Sequence, residues 1–398
     1  MSKVEVRELY KIFGTNPKKV ISLLEEGKSK AEILADTGNT VGVNNVSFEV
    51  EEGEVFVVMG LSGSGKSTLI RCLNRLIEPT KGKILIDGKD IVQSNDHELL
   101  KIRREKMAMV FQNFGLLPHR NVLVNVEYGL EIQGVDPEIR RKKAYEAIES
   151  VGLKGYEESM PSELSGGMQQ RVGLARALAN DTDVLLMDEA FSALDPLIRK
   201  EMQDELLELQ SKMQKTIIFI THDLDEALKL GDRIAIMKDG VVVQIGTPEE
   251  ILKNPADDYV KEFVQDVNRS KVITASSIMK KPDAIASHKD GPRVAIRKMK
   301  EAGISSIFVA DRNRKLRGIV TIDDATRLVK EGETSIESII IEDVPTTSPE
   351  TLIEELLSIA ANTKYPIVVV DNNHTMLGII VRVSVISGIV GKEDESDD

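Results

Sequence analysis

Apolar runs of strand length punctuate the first two thirds of the chain: EVFVVMG, KILIDG, MAMVFQ, DVLLMDE, TIIFITH and RIAIMKDG, separated by charge-rich stretches of helical period. Runs apolar on both faces belong to buried, mostly parallel strands flanked by helices. Residues 1–268 are therefore predicted to form one large α/β domain, with all six runs in the same sheet. An interruption comes early, over residues 14–40. There VISLLEEGKSKAEILADTG spaces its apolar positions for a helix and closes on Gly38, which predicts a short helical insertion.

Beyond residue 271 the pattern changes to a repeat. SSIFVADRNRKLRGIVTIDD (305–324) lies without a gap over YPIVVVDNNHTMLGIIVRVS (365–384), pairing Asp311 with Asp371 and Gly318 with Gly378 at an offset of 60 residues. Each copy reads as strand, polar turn and strand, preceded by a helix (VAIRKMKEAG, then LIEELLSIAA). Two such units can bury their apolar faces together, so a second, α+β domain is expected, with repeats at 272–330 and 331–390. The last residues, GKEDESDD (391–398), are expected to be a disordered acidic tail.

Composition narrows the function. With 398 residues, 41% hydrophobic and 29% charged, the chain suits a globular protein of more than one domain. Its longest apolar stretch, residues 376–390, is interrupted by Arg382 and falls short of the roughly 20 residues a spanning helix needs. The N-terminus lacks the apolar centre of a signal peptide, and the lone Cys72 excludes an intramolecular disulfide; a cytosolic protein is expected. The net charge of −13 argues against nucleic acid as a partner, because phosphate recognition needs a basic surface.

Chemistry concentrates in a few motifs. Gly60, Ser62, Gly63, Ser64, Gly65, Lys66, Ser67 and Thr68 form a G-x-x-x-x-G-K-[ST] loop between an apolar strand and a helix. Its backbone amides would cradle phosphates, Lys66 would reach the β- and γ-phosphates, and the Ser67 hydroxyl would ligate Mg²⁺. Downstream, VLLMDE ends on Asp188, placed to hold Mg²⁺, and Glu189, placed to polarise the attacking water.

With Gln112 after MAMVFQ, LSGGM at 164–168, SALD at 192–195 and His222 in FITHD, these residues resemble, in order, the ATP-binding-cassette ATPases over residues 1 to about 265. The resemblance implies a P-loop NTPase core with a helical subdomain at about 113–180 carrying the signature turn. It implies a head-to-tail homodimer in which Ser165, Gly166 and Gly167 of one chain close over ATP held by the other. Gln112 would sense Mg²⁺ and the attacking water, Asp195 would contact the partner's site, and His222 would touch the γ-phosphate. Adenine would stack on Phe13, or alternatively Tyr10. The segment FGLLPHRNVLVNVEYGLEI after Gln112 is similar to an importer's socket for a membrane subunit.

The insertion, MDEAFSALDPLIRKEMQDELLELQ and the duplicated C-terminal module together look like the ATPase subunit of osmoprotectant importers for glycine betaine and proline. That implies an integral-membrane permease with a solute-binding domain or protein, and a place on the cytoplasmic face of the membrane. A non-transport ATPase of repair or translation, with the repeat as a dimerisation scaffold, is the other reading. The repeat resembles a tandem CBS pair, which implies an adenine-nucleotide sensor, cyclic di-AMP being one ligand. Thr321 and Asp324 fit the family's G-x-x-T-x-x-D, whereas the second copy has Val381 and Ser384 there. The turn holding Arg312, Arg314, Lys315 and Arg317 is strongly basic in an acidic protein, and with Lys280 and Lys281 it suggests docking on an anionic membrane surface when salt is low.

Overall fold

Strand β1 (Ser2–Phe13) pairs antiparallel with β2 (Thr40–Glu51), and the predicted insertion is carried on the connection between them. It holds two helices, α1 (Pro17–Glu25) and α2 (Lys30–Thr37). Ser29 and Glu32 cap α2 reciprocally, and Gly38, at φ 68°, closes it. This computed structural model describes residues 2–112, 114–265 and 267–390, and its contacts divide the chain into two units, Met1–Gln265 and Asp266–Asp398. The predicted acidic tail lies outside the described residues.

After β2 come β3 (Val55–Met59), α3 (Lys66–Leu73), β4 (Lys81–Ile86) and β5 (Lys89–Asp90). The KILIDG run does not join the parallel sheet as expected: β4 pairs antiparallel with β1, in a four-stranded sheet ordered β2-β1-β4-β5. Its burial explains why, since Ile84 and Ile86 are buried while Lys81 and Lys83 face out, the alternation of a strand with one wet face.

The chain continues through α4 (Asp96–Glu105), β6 (Met107–Val110), α5 (Val122–Gln133), α6 (Pro137–Ser150), α7 (Gly166–Ala179) and β7 (Val184–Asp188). It then forms α8 (Pro196–Met213), β8 (Thr216–Thr221), α9 (Leu224–Leu230), β9 (Arg233–Lys238), β10 (Val241–Gly246), α10 (Pro248–Lys253) and α11 (Asp258–Val264). The second sheet is ordered β10-β9-β3-β8-β7-β6, parallel except for β10. Strands β3, β7 and β8 are buried at every position. Phe48 of β2 stacks on Phe56 of β3 at 5.0 Å within the core the two sheets share. Helices α5, α6 and α7 pack on one another.

Charges tie the sheets at one end. Lys3 of β1 reaches Asp87 (2.7 Å) and Asp183 (2.9 Å), and Lys106 reaches the same two carboxylates at 3.1 and 2.8 Å. Partial burial works to raise both carboxyls, but hydrogen bonds from the two lysines outweigh it and hold them below the ordinary Asp range.

The second unit contains α12 (Ala275–Ile278), β11 (Ile285–Ser287), α13 (Pro292–Ala302), β12 (Ser306–Ala310), β13 (Leu316–Thr321) and α14 (Ile322–Glu331). These are followed by β14 (Thr346–Thr347), α15 (Ile353–Asn362), β15 (Ile367–Val370), β16 (Met376–Ile380) and α16 (Arg382–Val390). Each copy thus has a leading parallel strand, β11 or β14, and a trailing helix, α14 or α16, beyond the predicted helix and hairpin. Phe308 and Ile319 of the first copy share an apolar cluster with Val368, Val370, Met376 and Ile379 of the second. The two turns are built alike: Asp311 accepts the amides of Asn313 and Lys315, and Asp371 those of Asn373 and Thr375.

Candidate functional site

The carboxyl ends of four neighbouring strands, β3, β8, β7 and β6, deliver the phosphate loop, His222, Glu189 and Gln112 in turn. Ligands of open α/β sheets bind at such ends. In the loop, Gly60, Gly63 and Gly65 all take positive φ, 152°, 80° and 106°. At Gly60 a Cβ would also stand 2.2 Å from the Met237 carbonyl oxygen, so no side chain fits. Lys66 opens α3 and is buried, its Nζ donating to the carbonyls of Gly60 (2.7 Å) and Leu61 (3.1 Å). Burial pushes its ammonium below the ordinary lysine range, while the Glu189 and Asp188 carboxylates pull it back up. Ser62 and Gly63 are exposed, Ser67 and Thr68 half-buried, and the buried Ser64 hydroxyl has no hydrogen-bond partner.

Asp188 closes β7 almost fully buried, accepting a bond of 3.3 Å from Arg71 at Oδ2, while its Oδ1 is buried without a partner. A buried, orphaned carboxylate oxygen beside a phosphate loop suits a divalent cation. Among the described residues no group of three or more His, Cys, Asp or Glu side chains could hold a metal by itself, so an ion here would draw its remaining ligands from hydroxyls, water and phosphate. Glu189 follows at φ 46°, a left-handed backbone that turns its side chain off the strand. Its Oε2 receives Gln112 Nε2 at 3.4 Å and lies 3.4 Å from His222 Nδ1. Gln112 also donates to Ser192 Oγ at 3.3 Å, which draws the SALD segment into the cluster. One Glu189 oxygen thus sits between Gln112 and His222.

Ser165 caps α7, its Oγ accepting the Met168 amide at 3.3 Å. Ser165 and Gly166 are exposed, leaving the helix's first amides open to a ligand. Gly167 is instead buried against α8: a Cβ there would lie 2.6 Å from Ile198 Cγ2. Asp195 caps α8 through the amides of Leu197 and Ile198, so its carboxylate already has a local task. Phe13 and Thr68 converge over Gly42, whose Cβ would lie 2.9 and 3.0 Å from them. Tyr10, the alternative platform, is 5% exposed in a core cluster and so has no free face.

Three participants went unread in the sequence: Arg71 on Asp188, Lys30 of the insertion on the Gly63 carbonyl (3.0 Å), and Arg176 of α7. Arg176 holds the carbonyls of Phe114 (2.9 Å) and Gly115 (2.6 Å), just beyond Gln112. Only the last had a local signal, a basic residue on an otherwise small and apolar helix face.

A family model described as ABC transporter matches residues 43–192, and one described as CBS domain matches residues 275–331 and 336–391. The glycine betaine/carnitine transport ATP-binding protein GbuA of Listeria monocytogenes serotype 1/2a is 60% identical over 393 residues, 99% of both chains. The chain belongs to the ABC transporter family. Among other ABC transporter relatives, the glycine betaine transport ATP-binding protein OpuAA of Bacillus subtilis is 55% identical, covering 98% of this chain and 93% of that one. A solved dimeric bacterial ABC transporter cassette, MJ0796, superposes with a TM-score of 0.52 at 33% identity, covering 62% of this chain and 98% of that one. Binding and hydrolysis of ATP on a P-loop core, with tandem CBS domains at the C-terminus, are this ABC ATPase's established features. No described helix is long and apolar enough to cross a membrane.

In the CBS region, Arg312, Arg314, Lys315 and Arg317 are all exposed. With Asn372, Asn373 and His374 of the second copy, Lys315 and Arg317 line an open cleft of about 570 Å³. Lys280 pairs with Asp283 at 3.2 Å, and Lys281 is exposed. Thr321 and Asp324 serve a local purpose: the Thr321 hydroxyl accepts the Asp324 amide, capping α14, and donates to Asp324 Oδ2 at 2.7 Å, while Arg327 takes the other oxygen at 3.1 Å.

Proposed function

We propose that this chain is the ATP-hydrolysing subunit of an importer for glycine betaine and related compatible solutes, working as a head-to-tail dimer beneath a membrane permease. The observation that carries this is 60% identity along the full length of both chains to a glycine betaine/carnitine transport ATP-binding protein, insertion and CBS repeat included. Copurification of an integral-membrane subunit, followed by ATP-dependent uptake of labelled glycine betaine into vesicles, tests it. Recovery of the chain on DNA or ribosomes instead would favour a repair or translation factor.

In this reading Phe13 stacks on adenine, the amides of Gly63, Gly65, Ser67 and Thr68 cradle the phosphates, and Lys66 leaves its loop carbonyls for the β- and γ-phosphates. Ser67, Gln112 and Asp188 would hold Mg²⁺, which when bound neutralises phosphate charge; the orphaned Asp188 Oδ1 fits that part. Glu189 accepts the proton of the attacking water, Gln112 and His222 fix its carboxylate, and His222 touches the γ-phosphate. Ser165 and Gly166 of the second copy, the exposed residues of the turn, complete the γ-phosphate's coordination, with Gly167 packing the turn on α8 and Asp195 beside them. ATP therefore bridges the dimer, and its cleavage lets the halves part.

A groove of about 370 Å³ lined by Leu76, Phe111, Tyr128, Ile132, Arg103 and Arg176 offers the permease an apolar docking surface at the socket segment. Regulation falls to the CBS unit at the cytoplasmic membrane face. Its basic turn would hold the anionic surface at low salt, each residue contributing roughly 1 kcal/mol, and release it as salt shortens the Debye length from about 8 Å towards 3 Å. The exposure of all four basic side chains supports this reading, and the polar atoms of Thr321 and Asp324, where a nucleotide such as cyclic di-AMP would bind, are already engaged with each other. Replacing Arg312, Arg314 and Arg317 together by Gln should lower the salt threshold of reconstituted transport. Heat on titrating adenine nucleotides into the full chain would favour the second route.

A further inference from the structure

Helix α11 is the last element of the ATPase unit, and Gln265 alone separates it from the boundary with the CBS unit. Val260 and Val264 are buried and anchor it, while Tyr259 is half-buried. The Tyr259 hydroxyl donates to the Met237 carbonyl at 3.5 Å and meets the Leu61 backbone, and Lys238 Nζ stands 4.4 Å over its ring. Phe263, one turn on, packs against the same ring at 5.6 Å.

What Tyr259 holds is the wall on which the loop is built. Met237 O is the atom that excludes any side chain from Gly60. Two residues beyond Lys238, the Gly240 amide donates to the Ser64 carbonyl (2.9 Å), and the Gly240 carbonyl accepts Asn44 N (2.8 Å). The turn between β9 and β10, with Asp239 at φ 49° and Gly240 at φ 87°, is thus tied to the loop through Gly240, while α11 touches the end of β9 just before it, at Met237 and Lys238. A shift of α11 cannot leave residues 237–240 in place without breaking the Tyr259 contacts, because packed interiors transmit displacement rather than absorb it.

We propose that Tyr259 is the positioning residue through which α11 couples the CBS unit to the phosphate loop, along the path Tyr259, Met237–Gly240, then Gly60 and Ser64. The proposal rests on the reading of the CBS unit as regulatory. A force exerted on the chain at residue 265 enters the ATPase unit through this helix, and the loop's grip on ATP changes with it.

The test compares wild type, Y259F and Y259L in the complete transporter reconstituted in anionic vesicles. The readouts are the ratio of ATPase rates at high and low salt and deuterium uptake of residues 60–66. Y259L should compress the ratio by about fivefold or more, the lower range of coupling between linked sites. Y259F, keeping the ring under Lys238, should give an intermediate ratio. A purely structural loss would scale both rates alike and leave the ratio intact. Wild-type ratios in both variants overturn the proposal; if Y259L yields no folded protein, a wild-type ratio and unchanged exchange in Y259F do so. A wild-type transporter that responds to neither salt nor adenine nucleotide removes the regulatory reading, and this inference with it.

Discussion

Replacing Glu189 by Gln changes one group in a cluster whose geometry is defined. The amide keeps the side chain's volume and the left-handed backbone at φ 46°, yet it has no carboxylate to take a proton. At present one oxygen, Oε2, receives Gln112 at 3.4 Å and faces His222 Nδ1 at 3.4 Å. A Gln carbonyl can still accept one of these bonds, so the pocket should persist while the base is lost. A positioned general base is worth about 10²–10⁴ in rate, which at about 1.4 kcal/mol per tenfold is a barrier increase of roughly 3–5 kcal/mol. Lys66 and the phosphate loop are untouched, so ATP affinity should stay within about threefold, less than 1 kcal/mol. Single-turnover cleavage of labelled ATP gives the first quantity, and a fluorescent ATP analogue the second. Gel filtration with ATP adds a third readout, because uncleaved nucleotide should hold the dimer together. Single-turnover cleavage within tenfold of wild type would refute the assignment of Glu189 as base.

Lys66→Ala removes the cation held on the Gly60 and Leu61 carbonyls and should weaken ATP binding itself, measured with the same analogue. Gly167→Ala drives a Cβ into Ile198 Cγ2 and should cost about 1–3 kcal/mol in thermal unfolding, with Ile198→Ala on the same chain restoring part of it. Thr321→Val removes the cap of α14 and should cost about 1 kcal/mol in chemical denaturation of the full chain. The Lys3, Lys106, Asp87 and Asp183 cluster sets a pH response. Its carboxyls sit below their ordinary range, so its contribution is complete above about pH 4 and fades as pH falls through the lowered values. The lysines sit above theirs, so it fades again at strongly alkaline pH. Lys3→Met should therefore lower the unfolding free energy from urea denaturation at pH 7, by about 1 kcal/mol for partly solvated pairs, and much less at pH 2.

What could be read in advance was what lies close in sequence. The phosphate loop, the Asp188 and Glu189 pair and the Ser165 cap are local motifs whose backbone geometry follows from their own residues. KILIDG misled because three adjacent apolar letters hide an alternation that only burial reveals: Leu85 faces the opposite side from Ile84 and Ile86. The exposures of Phe13 and Tyr10 follow from the register of β1, which leaves one ring open and buries the other. In the repeat, β11 and β14 span only three and two residues, too short to leave a periodic signal. Contacts such as Tyr259 with Met237, or Arg71 with Asp188, join residues far apart along the chain, and nothing in their neighbours' spelling announces them.

Helix α7 carries the exposed Ser165 at its first turn and, near its last, the Arg176 that grips the Phe114–Gly115 bend. Fourteen residues make a rod of about 21 Å. Such a rod ties the signature turn at one tip to the Phe114–Gly115 bend at the other, so in the proposed dimer a tug on Ser165 would reach that bend.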